Sequence, residues 1–130
     1  MAHNLLKGKR GIIFGALDPN SIAWKVAERC HEEGATFTLT NAPVALRMGA
    51  INQLAEKCNA QVIGADATST ADLENLFTQS QEILGGKIDF VLHSIGMSPN
   101  VRKGKAYTDL DYEFFHKTLF MMPVSVYNSY

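Results

Sequence analysis

Arg10-Gly11-Ile12-Ile13-Phe14-Gly15-Ala16-Leu17-Asp18-Pro19-Asn20-Ser21-Ile22-Ala23-Trp24 is a dense apolar run that ends at a glycine, crosses a polar turn and resumes as apolar residues at helical spacing. Arg10 to Gly15 reads as a strand. Ile22, Ala23, Val26, Ala27 and Cys30 form the stripe of a helix that runs through Glu33 until Gly34 stops it. Strand, glycine turn and helix begin a βαβ unit, and the same alternation recurs along the chain.

Ala35 to Thr40, rich in Thr and Phe, reads as a second strand, and Val44, Met48, Ile51, Leu54, Ala55 and Cys58 mark the buried face of a second helix. Gln61 to Ala65 is a third strand. Ser69 with Asp72 three residues later has the form of a capping box, opening a third helix with Leu73, Leu76, Phe77, Ser80 and Leu84 inside and Gly85-Gly86 at its end. Ile88 to Ile95 is a fourth strand. Its unbroken Phe90, Val91 and Leu92 suit a strand covered on both faces and so placed inside a sheet. A loop over 96–107 leads to Thr108-Asp109, a cap for a fourth helix that reads well to about Leu119. The fold class is therefore α/β: a Rossmann-like, doubly wound parallel sheet, of which these are the first four βα units.

At 130 residues, without repeat, low-complexity tract or linker, the chain has room for one domain. A composition of 46% hydrophobic and 19% charged residues sets disorder aside. The net charge of -1, with Lys and Arg scattered, gives no electrostatic footprint for nucleic acid or an anionic membrane. Apolar runs fall far short of the roughly 20 residues that span a bilayer. Leu5-Leu6 meets Lys7, Lys9 and Arg10 at once, unlike a signal peptide, so a cytoplasmic protein is expected. Cys30 and Cys58, with no CxxC and no histidine at ligand spacing, read as buried, reduced packing cysteines, and no metal is expected.

The turn from Gly15 to Ala23 has what a phosphate needs: a glycine that permits close backbone approach and a helix start whose free N–H groups favour an anion. It does not match G-x-G-x-x-G, because Ser21 and Ala23 stand where glycines belong and the loop is longer. The same residues also suit an ordinary connection with Ser21 as N-cap. Ala65-Asp66-Ala67 ends the third strand and His93-Ser94-Ile95-Gly96 the fourth. Ligands of open α/β sheets bind beyond the carboxyl ends of strands, so the three stretches converge on one crevice. Asp66 suits the exocyclic amine of an adenine and Ser94-Ile95-Gly96 suits a ribose; a helix-approach aspartate and a turn glycine are the plain alternatives. His93 invites a general-base role, but its place on a strand favours a structural one. His3, His31 and His116 read as surface or helix-face residues.

Leu6-Lys7-Gly8-Lys9-Arg10-Gly11, Gly15 six residues before Ser21-Ile22-Ala23-Trp24, Asp66 and His93-Ser94-Ile95-Gly96 together closely resemble the NADH-dependent enoyl-acyl-carrier-protein reductases of bacterial type II fatty-acid synthesis, within the short-chain dehydrogenase/reductase superfamily. The likeness runs from about Leu5 to Leu119. It implies a dinucleotide-binding domain over 1–130 that is the amino-terminal half of a longer enzyme, with an atypical tail over 120–130. It further implies a cradle of Gly15, Ser21 and Ile22 near the pyrophosphate, Asp66 and Ala67 at the adenine, and Ser94, Ile95 and Gly96 along the ribose and nicotinamide side. The implied reaction passes hydride from NADH to the β-carbon of a trans-2-enoyl thioester on acyl carrier protein, in a homotetramer.

The family's catalytic Tyr-x6-Lys is not formed by Tyr107, Tyr112, Tyr127 or Tyr130, and is expected downstream. The tail departs from the family at Phe120, Met121 and Met122, and Pro123 breaks a helix there. The family's fourth strand lies mid-sheet, so a missing fifth strand would leave an exposed edge. NADPH stays open beside NADH: Thr40-Asn41-Ala42-Pro43 carries no acid to hold a ribose 2′-hydroxyl, and Arg47 is in reach of a 2′-phosphate or is a solvated helix residue. Two other functions fit the cradle: a non-catalytic dinucleotide-binding sensor, and a carbonyl reductase of the same superfamily.

Overall fold

Strands with apolar side chains on both faces need cover on both faces, and the helices provide it. The computed structural model describes residues 2–95. Its elements are β1 (Arg10–Phe14), α1 (Ile22–Glu32), β2 (Thr36–Asn41), α2 (Pro43–Leu46), α3 (Ile51–Cys58), β3 (Gln61–Gly64), α4 (Thr70–Leu84) and β4 (Phe90–His93). Gly96, the helix expected from Thr108 and the tail from Phe120 lie outside the described residues.

The four strands form one parallel sheet in the order β3-β2-β1-β4. The order reverses at β1: one crossover carries the chain to β2 and β3, the other to β4. Side chains alternate across the sheet. Ile13, Phe37 and Leu39 face α1 and α3, meeting Ala23, Trp24, Ala27, Leu54 and Cys58. Ile12, Phe14 and Ile63 face α4, meeting Leu73 and Leu76. This is the doubly wound architecture, with Thr38 and Ser80 sharing a buried hydroxyl contact of 2.8 Å between β2 and α4. Cys30 and Cys58 are buried and unbridged, and burial pushes both thiols up.

The second helix is not continuous. The chain leaves helical geometry after Leu46, turns through Gly49 at φ +78° and re-enters at Ile51, leaving Val44 and Met48 exposed rather than buried. Pro43 starts the short α2, and Leu46 reaches over Gly64 at the end of β3. In α1 the buried residues are Ala23, Trp24, Ala27 and Cys30, whereas Ile22 is exposed. Its stripe is therefore turned by one residue from the expected one. β4 is shorter than Ile88–Ile95, only half-buried, and lies at the sheet edge among the described residues rather than inside it.

At the opposite end of the sheet, buried Glu33 caps the exit of α1 and ties down the amino-terminal arm. Its Oε2 accepts the N–H groups of His3 and Leu5 at 2.9 and 3.0 Å, and its Oε1 lies 2.8 Å from the Arg29 guanidinium. The Leu5 and His3 N–H groups, with Arg29 behind them, hold this carboxyl below its ordinary value of 4.5. A depressed folded value means that its contribution is present above the unfolded pKa and is lost as pH falls through the folded one. Acidification below about pH 4.5 is therefore expected to release residues 3–6 first, read as faster amide exchange at His3 and Leu5. In Glu33→Gln the arm's exchange should lose this pH dependence; an unaltered acid profile would count against the clamp.

Candidate functional site

The carboxyl ends of the strands carry the polar turns, and Gly15 governs how they meet. Gly15 adopts φ +96° and donates its N–H to the carbonyl of Thr40 at 3.1 Å. A Cβ built on it would lie 2.0 Å from the carbonyl oxygen of Ser94. The end of β1 is thus held between the ends of β2 and β4, and Gly15 and Ser94 are brought into direct contact.

Ser21 stands at the N-cap of α1 but makes no capping bond. Its hydroxyl turns back into the turn, accepting the Leu17 N–H at 3.1 Å and donating to the Asp18 carbonyl at 2.7 Å. The Asp18 carboxylate accepts the Asn20 N–H at 2.8 Å. The turn closes on itself, and among the described residues the first-turn N–H groups of α1 keep no side-chain cap. A helix of 11 residues with an open start presents partial positive charge to whatever anion approaches. Ile22, its first residue, is exposed at this entrance.

Beyond β2 the side chain of Asn41 bridges two turns. Its Nδ2 donates to the Ala16 carbonyl at 3.0 Å, its Oδ1 accepts the Ala42 N–H at 2.8 Å, and its own carbonyl accepts the Ala65 N–H at 3.1 Å. Asp66 follows, exposed, with Oδ1 taking both the N–H and the hydroxyl of Thr68 at 2.9 and 2.7 Å and Oδ2 left without a partner among the described residues. Its backbone N–H is held by the Asp72 carboxylate at 2.9 Å. Ser69 caps α4 through the Asp72 N–H at 3.3 Å, as its spacing predicts. The second half of the box differs, because Asp72 spends its carboxylate on Asp66. Ala67 is buried beneath.

On the other flank, Ser94 and Ile95 leave β4 half-buried, Ile95 packing against the cluster around Ile12 and Phe14. His93 sits on the strand beside Phe14, ring centroids 6.5 Å apart. From β3 to β4 the row spans three strand spacings, about 14 Å. Gly15, Ser21, Ile22, Asp66, Ala67, Ser94 and Ile95 thus share one edge of the sheet. Gly15 and Ser94 touch, Asn41 links the Ala16 carbonyl to Ala65 ahead of Asp66, and Gly96 lies outside the described residues. A cavity of about 560 Å³ lined by Gly34, Thr36, Phe37, Asn59, Gln61 and Leu84 opens at the opposite, amino ends of the strands. That is the wrong end for a ligand of a parallel sheet.

Residues 15–129 match the family model described as Enoyl-(Acyl carrier protein) reductase. The chain belongs to that family. Among curated reductases it is 36% identical over 128 residues to Enoyl-[acyl-carrier-protein] reductase [NADH] 1 of Rhizobium meliloti (strain 1021), covering 98% of this chain and 45% of that protein. It is 32% identical over 121 residues to Enoyl-[acyl-carrier-protein] reductase [NADH] FabI of Rickettsia felis (strain ATCC VR-1525 / URRWXCal2), covering 92% of this chain and 45% of that one. The chain therefore spans about half the length of the curated relatives it matches. Of solved reductases, the FabI-NADH complex from Alistipes finegoldii is 61% identical with a TM-score of 0.89, covering 98% of this chain and 45% of that one.

The bridge made by Asn41 and the tie of Asp72 to Asp66 are not marked by the motifs of the sequence. A polar residue closing an apolar strand just before Pro43 was the available signal for the first; nothing in the spacing of the second marks its tie to Asp66. The close approach at Gly15 is testable against Gly49, which shares a positive φ but has nothing within 4 Å of an added Cβ. Gly49→Ala should cost about 1–2 kcal/mol, the backbone strain alone. Gly15→Ala should cost clearly more, read from urea midpoints of the intact protein; equal losses would show that Ser94 yields freely.

Proposed function

We propose that this chain is the cofactor-binding half of an NADH-dependent enoyl-acyl-carrier-protein reductase acting in fatty-acid elongation. The observation that carries the reading is the open start of α1 beside the Gly15 turn. Ser21 closes the turn instead of capping the helix, so the N–H groups at and after Ile22 are free for a pyrophosphate. The fit extends along the edge. Asp66 offers Oδ2, unpartnered among the described residues, to the adenine amine, with Ala67 beneath it, and Ser94 and Ile95 stand on the ribose and nicotinamide side, to which the family resemblance adds Gly96. The likeness to a reductase in complex with NADH supports NADH over NADPH.

When bound, NADH supplies the hydride that reduces the β-carbon of a trans-2-enoyl thioester. The contribution of these residues is to hold and orient: the helix start fixes the anion, Gly15 lets backbone approach it, and the Thr68 contacts aim the Asp66 carboxylate. The sequence contains no Tyr-x6-Lys. The tyrosine that stabilises the enolate oxygen and the lysine that holds the nicotinamide ribose belong to the remainder of the reductase. Acyl carrier protein is the proposed partner, the homotetramer the proposed assembly and the cytoplasm the proposed compartment, all three from the family resemblance.

The test joins intact mass to turnover. The natural protein is expected at about twice 14.3 kDa and should oxidise NADH when given crotonyl-CoA, followed by loss of NADH absorbance. Cofactor binding without turnover, at 14.3 kDa, would sink the reductase and leave a sensor. Turnover of a ketone but not of the enoyl thioester would make it a carbonyl reductase.

A further inference from the structure

We infer that Asn41 is the positioning residue of the nucleotide turn, bracing Ala16 from the end of β2 in place of reading the adenosine ribose there; this rests on the cofactor reading above. The position is the informative part. In dinucleotide folds the residue ending the second strand commonly carries a carboxylate that takes the ribose 2′-hydroxyl. Here the last residue of β2 is an amide, and both ends of that amide already have protein partners.

The orientation of the amide follows from those partners. Ala16 offers a carbonyl, which only accepts, and Ala42 offers an N–H, which only donates. Nδ2 must therefore face the turn and Oδ1 must face the chain beyond β2. An aspartate at the same place would set a carboxylate oxygen against the Ala16 carbonyl at about the present 3.0 Å, two acceptors with no proton between them. The turn is thus built for an amide, and the acid usual in NAD folds does not fit without releasing it.

The mechanical consequence runs through the backbone. Gly15 is held on one side by the Thr40 carbonyl and packed on the other by Ser94, but neither contact reaches the Ala16–Leu17 peptide beyond it. Asn41 holds that peptide by its carbonyl while Ser21 holds it by the Leu17 N–H, and the Asn41 main-chain carbonyl takes the N–H of Ala65, which precedes Asp66. The Asn41 side chain is therefore the brace that ties the pyrophosphate turn to the strand end leading to the adenine carboxylate. Loss of the brace should weaken the binding of any ligand that spans both, and should weaken ligands that touch one of them much less.

The experiment uses the intact protein and measures Kd for NADH, ADP-ribose and adenosine in the wild type, Asn41→Asp and Asn41→Ser, together with KM and kcat for NADH. Asn41→Asp should weaken NADH and ADP-ribose about ten-fold, the loss of roughly one hydrogen bond. Adenosine, which lacks the pyrophosphate, should change much less, and KM should rise by a larger factor than kcat falls. Asn41→Ser keeps a small polar residue in the strand and cannot span to Ala16, so it should shift the same way even where the aspartate variant folds poorly. A side chain that read the ribose would behave oppositely: Asn41→Asp would bind NADH as tightly as wild type or tighter, which overturns the inference. Equal weakening of adenosine and ADP-ribose would also overturn it. A wild type that binds no NADH overturns the cofactor reading itself, and the inference falls with it.

Discussion

The carbonyl oxygen of Ser94 occupies the place where a Cβ of residue 15 would be, and much of the carboxyl edge depends on that contact. Neighbouring parallel strands lie about 4.8 Å apart, and the chain leaving β1 must climb out between β2 and β4 without prising them open. Only a residue without a side chain, free to take φ +96°, can make that exit while its N–H still completes the ladder to Thr40. From there the direction of the turn, the start of α1 and the alignment of the β3 and β4 ends are largely fixed. The topology supplies the reason, since β1 is where the strand order reverses and two loops diverge.

Two serines at helix starts show how the same chemistry is put to opposite uses. Ser69 caps α4 in the ordinary way, through the N–H of Asp72. Ser21 forgoes the cap on α1, which by itself leaves that helix start less stable by about 0.5–2 kcal/mol than a capped one. Its hydroxyl instead closes the turn at Leu17 and Asp18. The stability forgone at the cap is partly returned by two hydrogen bonds in the turn, and the open helix start faces the crevice.

The strand pattern and the residues at the strand ends were legible in the sequence because burial on both faces writes continuous apolar runs, and a glycine closing such a run marks an exit. What was not legible has specific causes. Val44, Met48 and Ile51 keep helical spacing straight through a break, so periodicity alone reads one helix where the chain makes two; Gly49 was the only local sign. Ile22 continues the stripe of α1 in sequence, yet the first residue of a helix projects past the sheet it packs on, and Trp24 takes its place in the core. Ser21 was readable as an N-cap by type and position, whereas the partner its hydroxyl chooses depends on the path of the turn. The ties of Asn41 to Ala16 and of Asp72 to Asp66 join atoms that periodicity does not relate.

Open polar groups at the carboxyl ends of the strands support the proposed ligand site on grounds other than resemblance. At the amino ends of the strands Glu33 holds the arm and Arg29, the Arg10 Nε donates to the Leu84 carbonyl at 2.8 Å, and Asp89 accepts the Arg10 N–H at 2.9 Å. At the carboxyl ends, among the described residues, some polar groups are left open. The Thr40 hydroxyl is buried without a partner, Asp66 has a free carboxylate oxygen, and α1 starts without a cap. A buried hydroxyl left unpaired costs on the order of 1–3 kcal/mol. The helix-start donors and the Asp66 carboxylate oxygen are the accessible open groups at this end and suit the proposed dinucleotide, whereas the Thr40 hydroxyl is fully buried and beyond a ligand's reach.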